Sequence, residues 1–173
     1  MYFLFFLALA QEGILPPWES KVVIKHAQDK TRELTAALGQ LDTAHWKGEY
    51  APLLISTRER VLGVADVLDR LAGKPQSLAA AVEAFLSLHH IEGNLDALAR
   101  GAARFQPTAV KPLEDATTSF IDARGQFYSY LTELSRYLEK NLAVESRELE
   151  SCRDQLWKRP PPALTPRPAR RPK

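Results

Sequence analysis

Four histidines carry the most versatile side-chain chemistry in this sequence, because an imidazole can bind a metal ion, ligate haem or transfer a proton. A carboxylate lies one helical turn away in two places, Asp42 before His45 and Glu92 after His89. Di-iron helical bundles need a Glu-x-x-His motif on each of two helices, and this 173-residue chain contains none. We therefore predict that none of the four histidines binds a metal ion. They are His26, His45, His89 and His90.

Haem attachment, nucleophilic catalysis and phosphate binding are disfavoured on similar grounds. The C-x-x-C-H motif of covalent haem is absent, and the only methionine is Met1. Cys152 is the only cysteine. The nearby carboxylates of Glu148, Glu150 and Asp154 oppose the thiolate form that a nucleophile needs. The eight glycines show neither G-x-G-x-x-G nor P-loop spacing. We therefore predict neither an enzyme nor a cofactor.

The elements that carry these side chains are predicted from hydrophobic spacing. From residue 20 onward the apolar residues recur with a period near 3.6, which predicts helices. The four predicted spans are 20–47, 52–72, 77–105 and 108–157. Ser20 and Thr108 are the predicted N-caps, and the third helix is predicted to start at Ser77. Gly48 and Gly73 are predicted to stop the first two helices. No alternating strand pattern and no Asn-Gly turn competes with this interpretation.

The connections between the predicted helices are short, which makes consecutive helices antiparallel neighbours. The expected fold is therefore all-α, an up-down-up-down antiparallel four-helix bundle with a long fourth helix. Val82, Phe85 and Leu88 are expected on the buried face of the third helix. Gly93 and Gly101 of the same helix either weaken it or mark a close helix–helix approach.

The first ten residues have the composition of a targeting segment. Tyr2–Ala10 is uninterrupted apolar sequence that is too short to cross a bilayer as a helix. Ala8-Leu9-Ala10 fits the small-x-small cleavage rule, and no Lys or Arg precedes the run, which predicts a signal peptide truncated at its start. We expect export to the periplasm or out of the cell, with residues 11–19 as a linker and no transmembrane span in the mature chain. The alternative is an ordinary apolar N-terminus that packs on the core.

Residues 158–173 form a basic, proline-rich tail. They contain six Lys or Arg residues and no acidic residue. Because the whole chain has 23 basic and 21 acidic residues, the other 157 residues keep 17 basic against 21 acidic. Proline at this density excludes a helix and favours extended polyproline II. We predict a disordered cationic tail of a kind that can bind a polyanion such as anionic lipid, cell-envelope polymer or nucleic acid. The alternative is a disordered tail that only keeps the chain in solution. The candidate contact residues are Arg167, Arg170, Arg171 and Lys173.

The fourth predicted helix is longer than the bundle can cover. At 1.5 Å per residue, a helix over 108–157 would be about 75 Å long, against roughly 32–44 Å for the other three. Either it breaks near Asn141 and folds back, or its last turns project.

Those last turns carry an apolar line that a solvated helix does not need. Leu142, Leu149 and Leu156 recur every seven residues. Cys152 occupies the adjoining core position of the same heptad, and Glu145 interrupts the line. We predict that a protein partner or a second copy of the chain covers these residues. An interchain disulfide at Cys152 is a further hypothesis.

The sequence therefore predicts a non-catalytic, exported helical-bundle protein that binds or scaffolds a partner through the end of helix four and the basic tail. The alternative is a ligand-sensing or carrier bundle with an aromatic-lined pocket. A filled core together with an exposed Leu149 and Leu156 favours the first hypothesis, and an apolar cavity beside Phe120 and Phe127 favours the second. The alternative is that the two phenylalanines pack in the core and that Tyr130 and Tyr137 lie on the helix surface. The candidate pocket residues are Phe120, Phe127, Tyr128, Tyr130 and Tyr137.

Overall fold

A computed structural model of the protein describes residues 17–42, 44 and 46–158. Within these ranges the chain forms four α-helices and no strand. The helices are α1 (Pro17–Gly39), α2 (Tyr50–Gly73), α3 (Leu78–Phe105) and α4 (Val110–Lys158). Helix α2 packs against both α1 and α3. The all-α four-helix bundle expected from the hydrophobic period is confirmed.

The first helix differs from its predicted span at both ends. It begins at Pro17, because proline is tolerated in a first turn whose N–H groups have no intrahelical partner. Ser20 therefore lies inside α1 rather than capping it. The helix ends at Gly39 instead of residue 47, and residues 40–49 connect it to α2. Gly48 has a φ of +66° within this connection, so it turns the chain rather than stopping a helix.

A side chain of α2 accounts for the early end of α1. The last carbonyl groups of a helix have no intrahelical partner. Arg58 donates to the carbonyl oxygen of Leu38 from Nε at 3.0 Å and from Nη2 at 2.6 Å. Its Nη2 also donates to the carbonyl oxygen of Leu41. A cation at this position complements the negative end of the helix dipole. The chain therefore leaves α1 with these carbonyl groups already bound.

Gln106, which follows the last residue of α3, holds the same connection from the other side. Its Nε2 donates to the carbonyl oxygen of Gln40 at 3.1 Å. Its Oε1 accepts from the backbone N–H of Asp42 at 2.9 Å. One amide side chain thus satisfies both a backbone acceptor and a backbone donor of the connection between α1 and α2.

The later helix ends agree better with the sequence. Ser77 caps α3, because its Oγ accepts from the N–H of Ala80 at 3.3 Å. Thr108 does not cap α4, since it lies within a 3-10 turn over Pro107–Ala109 that leads into that helix. Helix α4 runs without interruption through Asn141, so the predicted alternative of a break there is wrong.

Small residues occupy the buried face at the start of α3. Ala81 and Ala84 are completely buried, whereas Val82 is exposed, so the predicted position of Val82 in the core is wrong. Leu88 is buried as predicted, and Phe85 is half-buried. The largest buried side chains are Ile24, Leu34, Leu38, Leu54, Leu68, Leu71, Leu88, Ile91, Leu95, Leu98, Phe120 and Phe127.

The chain divides into two compact units, the first ending at Tyr137 and the second beginning at Leu138. The first unit contains the buried core. In the second, every described side chain from Leu142 onward is exposed. None of the helices in the described ranges combines the length and the apolar character that crossing a membrane requires.

Two glycines of α3 have opposite surroundings. A Cβ atom on Gly101 would lie 2.7 Å from Cζ3 of Trp46 and 2.9 Å from Cδ1 of Tyr50. Trp46 is buried, and both rings pack against Phe105, with centroid distances of 6.1 and 5.9 Å. A Cβ atom on Gly93 would meet nothing within 4 Å. Another group therefore approaches the backbone of α3 closely at Gly101 and not at Gly93. The approaching groups are the aromatic side chains of Trp46 and Tyr50 rather than a helix backbone.

Alanine substitutions at these two positions are expected to change stability in opposite directions. Gly101→Ala inserts a methyl group against a buried ring, and we expect it to lower the free energy of unfolding by about 1–3 kcal/mol. Gly93→Ala adds helix propensity without a clash and should raise the free energy of unfolding by up to about 1 kcal/mol. Urea unfolding followed by circular dichroism measures both. Equal effects of the same sign would contradict the described packing of Trp46.

Candidate functional site

Three of the four histidines lie in the described part of the chain, and His45 does not. His26 is half-buried on α1, and His89 and His90 are exposed on α3. Consecutive helical residues point about 100° apart, and these two have different neighbours: His89 contacts α4, and His90 lines a recess beside α2. Among the described residues, no group of three or more His, Cys, Asp or Glu side chains is placed to hold a metal ion.

An ion pair between α3 and α4 engages His89. Arg124 donates from Nη1 to Oε2 of Glu92 at 2.8 Å and to Nδ1 of His89 at 3.1 Å. Nδ1 of His89 also lies 3.3 Å from the same Glu92 oxygen. The histidine ring stacks on Phe85 with an interplanar angle of 3°. Arg124 and Glu92 neutralise each other's charge between α4 and α3, and an ion pair of this kind stabilises the packing of the two helices. Partly exposed pairs of this kind contribute up to about 1 kcal/mol.

The sequence indicates that His89 and Glu92 are neighbours, as the structure shows. It does not indicate that Arg124 contacts both of them. Residues three apart on a helix are neighbours by geometry. Arg124 joins them only because α3 and α4 face each other in a particular register, which the spacing within either helix does not encode.

The aromatic residues proposed to line a ligand pocket instead fill the core or face solvent. Phe120 and Phe127 are 1% and 0% exposed. Tyr130 is also buried, with its ring 5.2 Å from that of Phe127 in an edge-on arrangement. The expectation that Tyr130 lies on the helix surface is therefore wrong. Tyr128 is exposed and contacts Phe85 at 5.5 Å. Phe120, Phe127 and Tyr130 are therefore part of the core.

The hydroxyl group of Tyr130 joins α4 to the connection between α2 and α3. It donates a hydrogen bond to the carbonyl oxygen of Pro75. This bond satisfies both a buried phenol and a backbone oxygen of a turn. Burial raises the pKa of Tyr130 to about 12, because the phenolate form would lose its hydration.

A recess of about 510 Å³ lies between α2 and α3. Val64 and Val67 form its apolar part. Gly63 lies beside open space, since a Cβ atom on it would meet nothing within 4 Å. None of the five aromatic residues proposed for a pocket lines it. The lining residues are Arg60, Gly63, Val64, Val67, Ser87 and His90.

The residues predicted to bind a partner lie on the C-terminal part of α4. Leu142, Leu149 and Leu156 are 62%, 71% and 60% exposed. Cys152 is a free, exposed thiol. Residues seven apart stay on one side of a helix, with a drift of about 20° per step. We call these four residues the α4 stripe. Trp157 and Val144 are also exposed on this segment but do not share the seven-residue spacing.

Burial of the α4 stripe by a partner would contribute several kcal/mol to the free energy of binding, by about 1.5–3 kcal/mol for each fully buried leucine. Single exposed apolar residues are common on protein surfaces, but aligned ones form a patch of the kind that marks binding sites. Full burial of a leucine contributes about 1.5–3 kcal/mol, so three leucines exposed to this degree offer roughly 3–6 kcal/mol to whatever covers them. Association itself costs about 4–15 kcal/mol. A partner must therefore contribute apolar surface of its own.

Several predicted functional residues lie outside the described ranges. They are the apolar residues Tyr2–Ala10 and the four basic tail residues Arg167, Arg170, Arg171 and Lys173. The candidate site built from described residues is therefore the α4 stripe alone, which consists of Leu142, Leu149, Cys152 and Leu156.

The fold and this site together define an all-α bundle with an exposed apolar stripe on its last helix. Comparison of the chain with protein-family models, with curated proteins and with solved structures finds no match. The functional argument therefore depends on the chemistry of the chain's own residues.

Raising the pH is expected to weaken the bundle through Tyr130. The tyrosine of the unfolded chain ionises near 10, whereas that of the folded chain ionises near 12. Between these values the unfolded state has lost a proton that the folded state keeps. The free energy of unfolding therefore falls as the pH rises from 10 to 12, and this contribution is constant below pH 10.

Urea unfolding of the wild type and of Tyr130→Phe across this range measures the effect. We expect Tyr130→Phe to be less stable below pH 10, because it loses the bond to Pro75, and to show a flatter pH dependence. Tyr128→Phe, at an exposed position of the same helix, is the control. An unchanged slope in Tyr130→Phe would refute this assignment.

Proposed function

We propose that this protein is a non-catalytic, exported helical-bundle protein that acts as a binding or scaffolding module. It contacts its partner through the α4 stripe, and its basic tail adds contact with a polyanion. The observation that carries the proposal is the exposure of Leu142, Leu149 and Leu156 in a molecule whose aromatic residues Phe120 and Phe127 are fully buried.

The use of the polar side chains supports a role without catalysis. Arg58 and Gln106 bind backbone groups of the connection between α1 and α2. Glu92 and Arg124 pair with each other across two helices. These groups are engaged in holding the fold, whereas catalytic groups are normally held ready for a substrate.

Export is supported by Tyr2–Ala10, whose length and composition suit the apolar region of a signal peptide. Contact with a polyanion is supported by the six basic charges and the absence of acidic residues in 158–173. These two proposals are independent of each other and of the α4 stripe, so each requires its own measurement.

Photo-crosslinking in the cells that produce the protein tests the α4 stripe. A benzophenone amino acid is placed at Leu149 or Leu156, and irradiation should give a covalent adduct with the partner, because both side chains are exposed. The same amino acid at Val144, which is 46% exposed on the same helix, is the matched control and should give much less adduct. Mass spectrometry identifies the adduct.

Equal yields at Leu149 and Val144, or no adduct at either stripe position, would contradict binding through the α4 stripe. The same spectra report on export. A mature chain that begins at Gln11 supports cleavage after Ala10, whereas a mature chain that retains Tyr2–Ala10 speaks against it.

Removal of residues 158–173 is expected to abolish retention on immobilised heparin, used as a generic polyanion. The tail carries six positive charges, and each contact with the polyanion releases counterions, so binding should weaken steeply with salt. Retention measured against salt concentration checks this. Undiminished retention of the shortened chain would assign polyanion binding to the bundle instead.

A further inference from the structure

We propose that the partner of the α4 stripe is a second copy of this chain, and that residues 138–158 of two copies pair as a parallel, in-register coiled coil. The inference rests on the proposed function, since it names the occupant of the same surface. Heptad position, charge and apolar area each support it.

The spacing of the stripe is that of a coiled-coil seam. Leu142, Leu149 and Leu156 fall on core position a of a heptad, and Leu138 and Cys152 fall on core position d. A seam with this spacing is complementary to another helix that has the same spacing. The chain supplies such a helix itself, in the continuous α4.

The charges beside the seam select a parallel pair. Glu148 occupies position g and Arg153 occupies position e of the next heptad, and both are exposed. In a parallel pair, g of one helix meets e of the next heptad on the other helix. Glu148 then meets Arg153 of the other copy, and two-fold symmetry forms this contact twice. The two residues are five apart, so they are not neighbours within one helix.

An antiparallel pair would lose this complementarity. Position g then faces g, and e faces e, so Glu148 no longer meets Arg153 of the other copy. In the parallel pair each residue at position d faces its own counterpart, which brings the two Cys152 thiols together across the symmetry axis.

The apolar area also favours a second copy. Each copy contributes its own three exposed leucines, so the pair buries twice the apolar surface that one stripe offers to a polar partner. Glu145, at position d, places two carboxylates opposite each other and weakens the seam. The dimer should therefore be reversible, with dissociation constants in the micromolar range.

Sedimentation equilibrium of the full chain in reducing buffer tests the inference. We expect a monomer–dimer equilibrium whose dissociation constant increases by at least about tenfold in Leu149→Asp, because a charge enters the seam. Val144→Asp places the same charge on the same helix away from the seam and should leave the constant unchanged. Circular dichroism verifies that both variants keep the bundle, as their exposed positions lead us to expect.

A charge exchange tests the parallel register. Glu148→Arg and Arg153→Glu should each weaken the dimer, and the double variant should regain wild-type affinity, because the pair re-forms between copies. In an antiparallel dimer the double variant would not recover. Diamide, which takes two electrons and two protons from two thiols, should join Cys152 of two copies in the wild type and much less in Leu149→Asp.

Several results would overturn the inference. A monomer at all concentrations to about 200 µM excludes self-association at the expected strength. A dimer that Leu149→Asp does not weaken places the interface elsewhere, and failure of the double variant to recover excludes the parallel register. A photo-adduct at Leu149 with a different protein would, in a chain that stays monomeric, overturn the second copy as partner while leaving the proposed function intact. Absence of any photo-adduct would overturn both.

Discussion

Burial of apolar side chains along α4 is the interaction on which the rest of the structure depends. Leu113, Phe120, Phe127 and Leu134 recur every seven residues and are all buried. The next leucine of comparable spacing, Leu142, comes eight residues later and is exposed. The seven-residue pattern therefore changes phase between Leu134 and Leu142. The division of the chain into two units falls within this interval, at Tyr137 and Leu138.

Within the first unit, long-range hydrogen bonds from side chains to the backbone complete what apolar packing begins. Arg58 binds the end of α1, Gln106 binds the connection that follows it, and Tyr130 binds the turn between α2 and α3. Each bond satisfies a backbone group that helical hydrogen bonding leaves open. Trp46, packed on Gly101, adds the apolar counterpart of these bonds in the same connection.

The sequence was sufficient to predict the features that depend on local periodicity. The number of helices, the start of α3 at Ser77 and the continuing apolar line beyond Leu138 all follow from the types and spacing of neighbouring residues. The end of α1 could not be predicted in this way, because it depends on Arg58 and Gln106, which lie far along the chain. Burial of Tyr130 likewise depends on a facing helix and turn.

The functional residues likewise include some whose positions the sequence predicts and others whose positions it does not. The positions of Leu142, Leu149 and Leu156 on one line could be predicted, because seven-residue spacing defines a side of any helix. The role of Arg124 could not, since its partners Glu92 and His89 lie on another helix. Gly93 and Gly101 look alike in the sequence, and only the position of Trp46 distinguishes them.

The exposure of the α4 stripe has a consequence for how the protein can evolve. Residues that stabilise the bundle, such as Phe120 and Phe127, are different from those that would bind a partner, such as Leu149 and Leu156. Natural domains are only marginally stable, by about 5–15 kcal/mol, so changes of function at shared residues often cost stability. Here the two demands fall on separate residues. Under the proposed function, substitutions in the α4 stripe would therefore change the affinity for a partner while the residues that stabilise the bundle stay the same.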